Sequence, residues 1–285
     1  MIGYAAPTYI DEVVTLLTND PSARVLAGGH SLLVEPNRSR IADVLLVDLR
    51  RIPGLAGIDR QREGSLKIGA MTTLASLAAN EAIREAYPAL TDAVRTTGDA
   101  QLRNRATVGG SLAGSDPEDD LPALMLALDA TVHVMGPQGT RTLSADVLLT
   151  GPYQTSLAPG EVIVAITIPA PAKRSGVAFE KFRHPATLYT ICGVGVQITA
   201  ADNGGVGAIR AAVAGAAEQA TRLTGLEKML AGRQPGDALI SAAAESALGG
   251  LTFRGDLFAS PEYRRHLTRV LAERAVKQAF ARAAA

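Results

Sequence analysis

Hydrophobic and polar positions alternate with two different periods along the chain, and each period predicts one kind of element. Apolar residues spaced three and four positions apart indicate helices, whereas short apolar runs that end at glycine or proline indicate strands. The predicted helices span about 8–18, 88–97, 121–128, 219–231, 237–248 and 262–282, with another beginning near 72. The predicted strands span 23–27, 44–49, 66–69, 131–135, 161–168, 177–183, 191–200 and 206–214, and a turn at 136–139 makes a hairpin. Sheets covered by helices, the α+β class, follow from this pattern.

A stretch rich in proline and alanine, Pro169 to Lys173, interrupts the pattern and is the most linker-like part of the 285 residues. A chain of this length has room for two domains. We therefore predict one domain over 1–172 and a smaller one over 173–285. The smaller domain combines an antiparallel sheet with helices.

Composition excludes several classes of function. Basic and acidic residues balance at 28 each, and the aromatic residues are six Tyr and five Phe with no Trp. A neutral chain with few stacking platforms is a poor candidate for nucleic-acid binding. The sequence shows neither a secretory leader nor a long uncharged apolar run, so we expect a cytoplasmic protein without a transmembrane segment.

Spacing excludes the common chemical motifs. The sequence contains no G-x-G-x-x-G, no P-loop, no H-E-x-x-H and no C-x-x-C, and its four histidines are scattered, which gives no indication of a metal site. Its one cysteine, Cys192, lies in an apolar strand pattern typical of a buried, inert thiol. One thiol cannot hold an iron–sulfur cluster, so any redox chemistry needs a cofactor.

Two glycine pairs follow or adjoin predicted strands, one within Ala27–Ser31 and the other within Thr107–Ser111. Glycine permits positive φ and close backbone approach, so N–H groups there can converge on an anionic oxygen such as a pyrophosphate. Tight turns are the commoner explanation of either pair when it is taken alone. Both interpretations stay open on the residues themselves.

The charged residues near the second glycine pair also allow two interpretations. The acidic cluster from Asp116 to Asp120 precedes a predicted apolar helix, so it either caps that helix or offers a carboxylate to a ribose or polyol. Lys181 stands between Phe179 and Phe182 on a predicted strand, where a lone lysine is usually solvated.

Several ordered motifs together carry a family resemblance over nearly the whole chain. The chain resembles the FAD-binding medium subunits of molybdenum hydroxylases, above all those of the carbon monoxide dehydrogenase type. The motifs are AGGHSLL at 27–33, VDLRRIP at 47–53, IGAMTT at 68–73, RNRATVGGSLA at 103–113, DP at 116–117, DLP at 120–122, FEKF at 179–182 and SPEYRRHL at 260–267.

The resemblance implies an FAD domain of the vanillyl-alcohol-oxidase-like (PCMH) type with two lobes, about 1–58 and 59–172, and a flavoprotein C-terminal domain. It implies FAD held without a covalent link, with the pyrophosphate between the two glycine loops. Thr97 occupies a further family position, although the residues around it match poorly. The implied FAD-binding residues are Ala27, Gly28, Gly29, His30, Ser31, Leu32, Leu33, Thr107, Gly109, Gly110, Ser111, Asp120, Ile163 and Lys181.

The sequence departs from the family pattern at two places. Many relatives continue after the first loop with P-x-M-K-x-R, whereas here Val34 to Ser39 leave the usual Lys and Arg positions neutral. Ser111 replaces the commoner Asn and keeps a hydrogen-bonding group with a shorter reach.

The implied function is that of an electron-transfer subunit and component of an oxidoreductase. A molybdopterin large subunit would oxidise carbon monoxide, an aldehyde or an N-heterocycle, and an iron–sulfur small subunit would relay electrons to FAD on this chain, which passes them to an external acceptor. The expected assembly is a dimer of heterotrimers. Two alternatives stay open: a self-contained flavin-dependent oxidoreductase, and a non-catalytic nucleotide-binding assembly module.

Overall fold

The first lobe is a small parallel sheet with one helix. The computed structural model describes residues 2–33 and 43–285, so the departure at 34–39 lies outside the described residues. Three strands pair in parallel in the order β1-β3-β2, and the helix α1 buries Val13 and Val14. The elements are β1 (Gly3–Ala5), α1 (Ile10–Asn19), β2 (Arg24–Leu26) and β3 (Leu45–Asp48).

The second lobe is built on a five-stranded antiparallel sheet of order β4-β5-β10-β6-β7. Its strands are β4 (Ile58–Arg60), β5 (Leu66–Gly69), β6 (Thr131–Gly136), β7 (Gly139–Ser144) and β10 (Val162–Ile168), with a short pair β8 (Leu149–Gly151) and β9 (Gln154–Thr155). Its helices are α2 (Leu74–Ala79), α3 (Glu81–Ala86), α4 (Pro88–Arg95), α5 (Ala100–Arg103), α6 (Val108–Gly114), α7 (Asp120–Ala127) and α8 (Ala145–Leu148).

The C-terminal part is an antiparallel sheet of order β11-β12-β13-β14 covered by helices. The long helix α11 packs on β11 and β12, and Gly176 permits this because a Cβ there would lie 2.1 Å from the Ala279 carbonyl oxygen. The elements are β11 (Ser175–Arg183), β12 (Thr190–Ala200), β13 (Val206–Ala214), β14 (Thr221–Arg222), α9 (Thr224–Leu230), α10 (Asp237–Ser246) and α11 (Pro261–Ala284).

Helix α7 lies at the centre of the molecule. All eight of its residues are buried, as expected of a helix that is apolar all round. It packs against β12 and β13 as well as against α4 and α6. One buried cluster accordingly contains Leu124 of α7, Val134 of β6 and Ala212 of β13, so the two parts of the chain share a hydrophobic core.

The α+β class and the hairpin at 136–139 are confirmed, and one predicted helix is partly wrong. Within 219–231, Thr221 and Arg222 pair with Val213 and Ala212 as strand β14, and the helix α9 begins only at Thr224. The pairing partner lies on another strand, so tertiary contact overrides the local helical pattern. The sequence pattern also failed to predict strands β1, β4, β8 and β9 and helices α3, α5, α6 and α8.

Candidate functional site

The fold brings the two glycine loops together although about 80 residues separate them in the chain. The first loop, Ala27–Leu33, follows β2, and the second, Thr107–Ser111, begins at the cap of α6. A Cβ at Gly28 would lie 2.0 Å from the Arg105 carbonyl oxygen, and a Cβ at Gly110 would lie 3.9 Å from the Ala27 Cβ. The two loops therefore form one surface.

The second loop is held by its own backbone. The Gly109 N–H donates to the Ala70 carbonyl at 2.8 Å, and the Gly110 N–H donates to the Thr107 hydroxyl at 3.1 Å, which caps α6. A Cβ at Gly109 would lie 2.6 Å from the Ala70 Cβ. Close packing against Ala70 thus explains why residue 109 is a glycine. The Thr107 hydroxyl accepts one hydrogen bond and keeps its own proton to donate.

The first loop is the more open of the two. Gly29 has φ of +82°, and its carbonyl accepts the Leu33 N–H at 3.0 Å, which closes a tight turn. His30, Ser31 and Leu33 are exposed, whereas Leu32 packs against the small core of the first lobe. Gly29 thus supplies one left-handed residue, the conformation used in backbone turns that bind anions.

Asp120 is the centre of a buried polar cluster. One carboxylate oxygen, Oδ2, accepts from Lys181 Nζ at 2.5 Å and from the Thr97 hydroxyl at 2.7 Å, and the other accepts from the Thr190 hydroxyl at 2.6 Å. Asp120 is 1 % exposed and the Lys181 side chain 8 %. The expectation that Lys181 is solvated is therefore wrong, because its ammonium reaches across from β11 to α7 and pairs there.

This cluster joins the two parts of the chain. Thr97 and Asp120 belong to the second lobe, whereas Lys181 and Thr190 belong to β11 and β12. Sequence reasoning missed Thr190, because a threonine at the start of an apolar strand carries no signal of its distant partner. The poorly matched Thr97 lies directly at the cluster.

One of the other acidic residues caps the start of α7. Asp119 is the N-cap and accepts the Leu121 N–H at 3.1 Å, so capping applies to at least one of the four, as expected. Asp116 accepts the Glu118 N–H at 3.0 Å in the turn before the helix. Burial raises the pKa of Asp119 to about 6, against a hydrogen bond from Ser111 that lowers it. Since the ordinary value is 3.8, its protonation favours the folded state below that value, and this contribution is lost as the pH rises through about 6.

Ile163 adjoins the second glycine loop through the backbone. It pairs with Val134 at a β-bulge in β10 and is 4 % exposed. The neighbouring Val164 carbonyl accepts the Ala70 N–H at 3.0 Å, and Ala70 is the residue that faces Gly109. The bulge thus places Ile163 one strand away from the loop.

Cys192 has the environment predicted for an inert thiol. It is fully buried, lies 3.4 Å from the Thr268 hydroxyl, and burial raises its pKa to about 12. Across residues 2–33 and 43–285 no group of three metal-ligating side chains occurs. In those same ranges no helix is long and apolar enough to cross a membrane.

A glycine exchange tests the first loop. Gly29→Ala is expected to weaken FAD binding about five- to thirtyfold, because alanine resists the positive φ that shapes the turn, at a cost of about 1–2 kcal/mol. Gly54→Ala is the matched control, since Gly54 also has positive φ (+77°) but nothing within 4 Å of its would-be Cβ. The measurement is the FAD dissociation constant by titration of both apoproteins. Equal weakening in the two variants would contradict a special role of the loop.

These features define an α+β protein whose two parts close on one candidate cofactor site. Residues 1–171 match the family model described as the FAD binding domain in molybdopterin dehydrogenase. Residues 177–279 match the CO dehydrogenase flavoprotein C-terminal domain.

Individual relatives agree with both matches. The chain is 33% identical over 281 residues to the nicotine 6-hydroxylase medium subunit of Paenarthrobacter nicotinovorans, covering 99% of this chain and 98% of that one. It is 35% identical to the carbon monoxide dehydrogenase medium chain of Hydrogenophaga pseudoflava, with the same coverage. A solved structure of carbon monoxide dehydrogenase from that organism superposes with a TM-score of 0.94 at 35% identity, covering 99% of this chain and 98% of that one.

The chain belongs to the family of FAD-binding medium subunits of molybdenum hydroxylases. It is thus a flavoprotein component of an oxidoreductase, and the expected family, fold and cofactor are confirmed.

Proposed function

We propose that this chain transfers electrons within a molybdenum hydroxylase, from an iron–sulfur small subunit through FAD to an external acceptor. The observation that carries the proposal is the buried ion pair between Asp120 and Lys181, which joins the two parts of the chain. The chain supplies one buried thiol and so cannot hold the clusters itself. In this proposal the electrons therefore arrive from clusters held by another chain.

The residues fit a flavin dinucleotide. The exposed, left-handed turn at Gly29 suits close approach of a pyrophosphate, and the Thr107 hydroxyl adds a donor from the second loop. Ser111, which is also a proposed FAD-binding residue, donates its own proton to Asp119. The remaining proposed FAD-binding residues are Ala27, Gly28, His30, Ser31, Leu32, Leu33, Gly109, Gly110, Asp120, Ile163 and Lys181.

FAD, when bound, accepts electrons singly and delivers them in pairs. The residues of the protein itself would bind the cofactor and orient it. Asp120 holds the Lys181 ammonium in one position, and the hydroxyls of Thr97 and Thr190 hold the Asp120 carboxylate in turn. All four groups are buried or half-buried, so the charge pair is largely shielded from water.

The proposal extends to the assembly. The partners would be an iron–sulfur small subunit and a molybdopterin large subunit, arranged as a dimer of heterotrimers in the cytoplasm. Substrate specificity would lie on the large subunit. The substrate class, whether carbon monoxide, an aldehyde or an N-heterocycle, is therefore set outside this chain, in keeping with relatives named for substrates as different as nicotine and carbon monoxide.

Reconstitution tests the electron-transfer role. The isolated chain should bind FAD that acid precipitation releases, because no covalent link holds it, and should oxidise none of these substrates with an artificial dye. Adding the small and large subunits should restore dye reduction, and substrate without acceptor should bleach the flavin absorbance anaerobically. Turnover by the isolated chain at about 1–10 per second, within the usual enzyme range, would instead establish a self-contained oxidoreductase.

A further inference from the structure

Arg105 lies where the two glycine loops meet. Its carbonyl oxygen would be 2.0 Å from a Cβ at Gly28, so its backbone packs directly against the first loop. Its guanidinium reaches the same residue, since Nη2 donates to the Gly28 carbonyl at 3.4 Å. The second loop begins shortly afterwards, at Thr107. One arginine therefore contacts the first loop with both its backbone and its side chain and leads into the second.

The backbone on both sides fixes the position of Arg105. Its N–H donates to the Leu102 carbonyl at 2.9 Å, in the turn that follows α5, and the next carbonyl, that of Ala106, accepts the Leu74 N–H at 2.9 Å. Thr107 then caps α6. The side chain thus starts from a well-defined place at the edge of both loops.

The guanidinium of Arg105 is available to a ligand. The residue is exposed, and within residues 2–33 and 43–285 it has no carboxylate partner. The hydrogen bond of 3.4 Å to Gly28 is long for an N–H donor, and a guanidinium has five N–H groups. Arg103 differs, because its Nη1 donates to the carbonyls of Thr97 and Gly98 at 3.1 and 2.9 Å. Most N–H groups of Arg105 therefore have no partner in this described part of the chain.

The surroundings of the two loops contain little free positive charge. Neither loop includes Lys or Arg, and four acidic residues follow the second loop within 116–120. Lys181 and Arg254 each pair with one of these acids, so both cations are already offset. Asp119 adds a carboxylate beside Ser111 of the second loop. A pyrophosphate brings further negative charge to this place, and a nearby cation would offset it.

Arginine has the geometry that binding a phosphate requires. Its N–H groups form a planar fork that matches phosphate oxygens, and such charge-assisted hydrogen bonds are about twice as strong as neutral ones. The Thr107 hydroxyl also keeps a proton to donate, and the left-handed turn at Gly29 belongs to the other loop. Arg105 would add a cation to these neutral groups.

We propose that Arg105 is an FAD-binding residue whose guanidinium supplies the positive charge for the pyrophosphate. The proposal rests on the placement of the pyrophosphate between the glycine loops, which the proposed function adopts. The alternative is an arginine that only braces the Gly28 carbonyl. Such a brace depends on one long hydrogen bond and predicts no preference for a ligand that carries phosphate.

Neutralising the side chain tests the proposal. Arg105→Gln in the full chain should raise the FAD dissociation constant about ten- to hundredfold, because a charge-assisted hydrogen bond is lost. Arg105→Lys keeps the charge without the fork and should lose less. Riboflavin, which has no phosphate, should bind the wild type and Arg105→Gln equally. Added salt should weaken FAD binding more in the wild type than in Arg105→Gln, because salt screens an exposed charge.

Fluorescence titration of the apoproteins measures these dissociation constants, and urea unfolding checks the fold. Stability should stay at the wild-type value, because the Arg105 side chain is exposed. Arg62→Gln is the matched control. Arg62 is also exposed, but it lies in the turn before β5, and the opposite end of that strand leads to Ala70 and the second loop. This variant should bind FAD with wild-type affinity.

Two results would overturn the role of Arg105: wild-type FAD affinity in Arg105→Gln, or an equal loss of affinity for riboflavin. If Gly29→Ala is weakened as expected and Arg105→Gln is not, only the arginine is misassigned. Wild-type affinity in both variants would overturn the placement of the pyrophosphate between the loops, and the role of Arg105 with it. The measurements use FAD binding alone, so their outcome is independent of electron transfer from another chain.

Discussion

Replacing Asp120 by alanine is expected to lower the free energy of unfolding by about 3–5 kcal/mol, because it leaves the buried Lys181 ammonium without its counter-charge. The hydroxyls of Thr97 and Thr190 lose their acceptor at the same time. Urea denaturation of the apoprotein measures the loss. A change of less than about 1 kcal/mol, the size expected of a surface ion pair, would contradict the conclusion that Asp120 and Lys181 form a buried ion pair.

The double variant Asp120→Ala/Lys181→Met separates stability from binding. Removing both charges should recover much of the lost stability, since an uncompensated buried charge is the costly species. FAD affinity should not recover with it if Lys181 and Asp120 contact the cofactor. Recovery of both would limit the pair to a structural role.

Replacing Arg264 by alanine is expected to have a similarly large effect, about 3–5 kcal/mol. Its guanidinium donates to the carbonyl groups of Ile191 and Gly215, at 2.6 and 2.5 Å, and pairs with Asp256. The two carbonyl groups would lose this donor, and Asp256 would keep only Arg254 and the N–H groups of Phe258 and Ala259. The turn at 256–259 would therefore loosen. Thermal or urea unfolding measures the stability, and hydrogen exchange at 257–259 measures the release.

The adjacent residue provides the control for this prediction. Arg265 is half exposed, pairs with the exposed Glu245 and lies over the Phe253 ring at 5.9 Å, so Arg265→Ala should cost at most about 1–2 kcal/mol. Equal losses at 264 and 265 would show that the helix, and not the buried guanidinium, determines the effect.

The contrast between these two arginines shows where sequence reasoning ends. In the sequence they are an ordinary basic pair at the start of a predicted helix. Arg264 is buried and Arg265 is not because of the way α11 is rotated against β12, which the sequence does not show. The same holds for Lys181 and Asp120, which are 61 residues apart. Of the acidic residues before α7, composition predicts that some act as caps but not that Asp120 is the one that pairs.

Features with local or repeated signals were predictable. Alternating apolar runs predicted the long strands β11, β12 and β13 within two residues, since each buries one face against a helix or a neighbouring sheet. Two-residue strands such as β14 are too short to show an alternation of hydrophobic and polar residues. The convergence of the glycine loops followed from the family resemblance, because no spacing rule links segments that meet only in the fold.

The burial of α7 has a consequence for how such chains can evolve. The two family matches meet near the predicted linker at 169–173, but the eight residues of α7 are covered by elements from both matches. A recombination event at the linker would pair an α7 with strands β12 and β13 that had not co-adapted to it, and close packing tolerates such mismatches poorly. The two halves are therefore expected to be inherited together, as a single unit of selection.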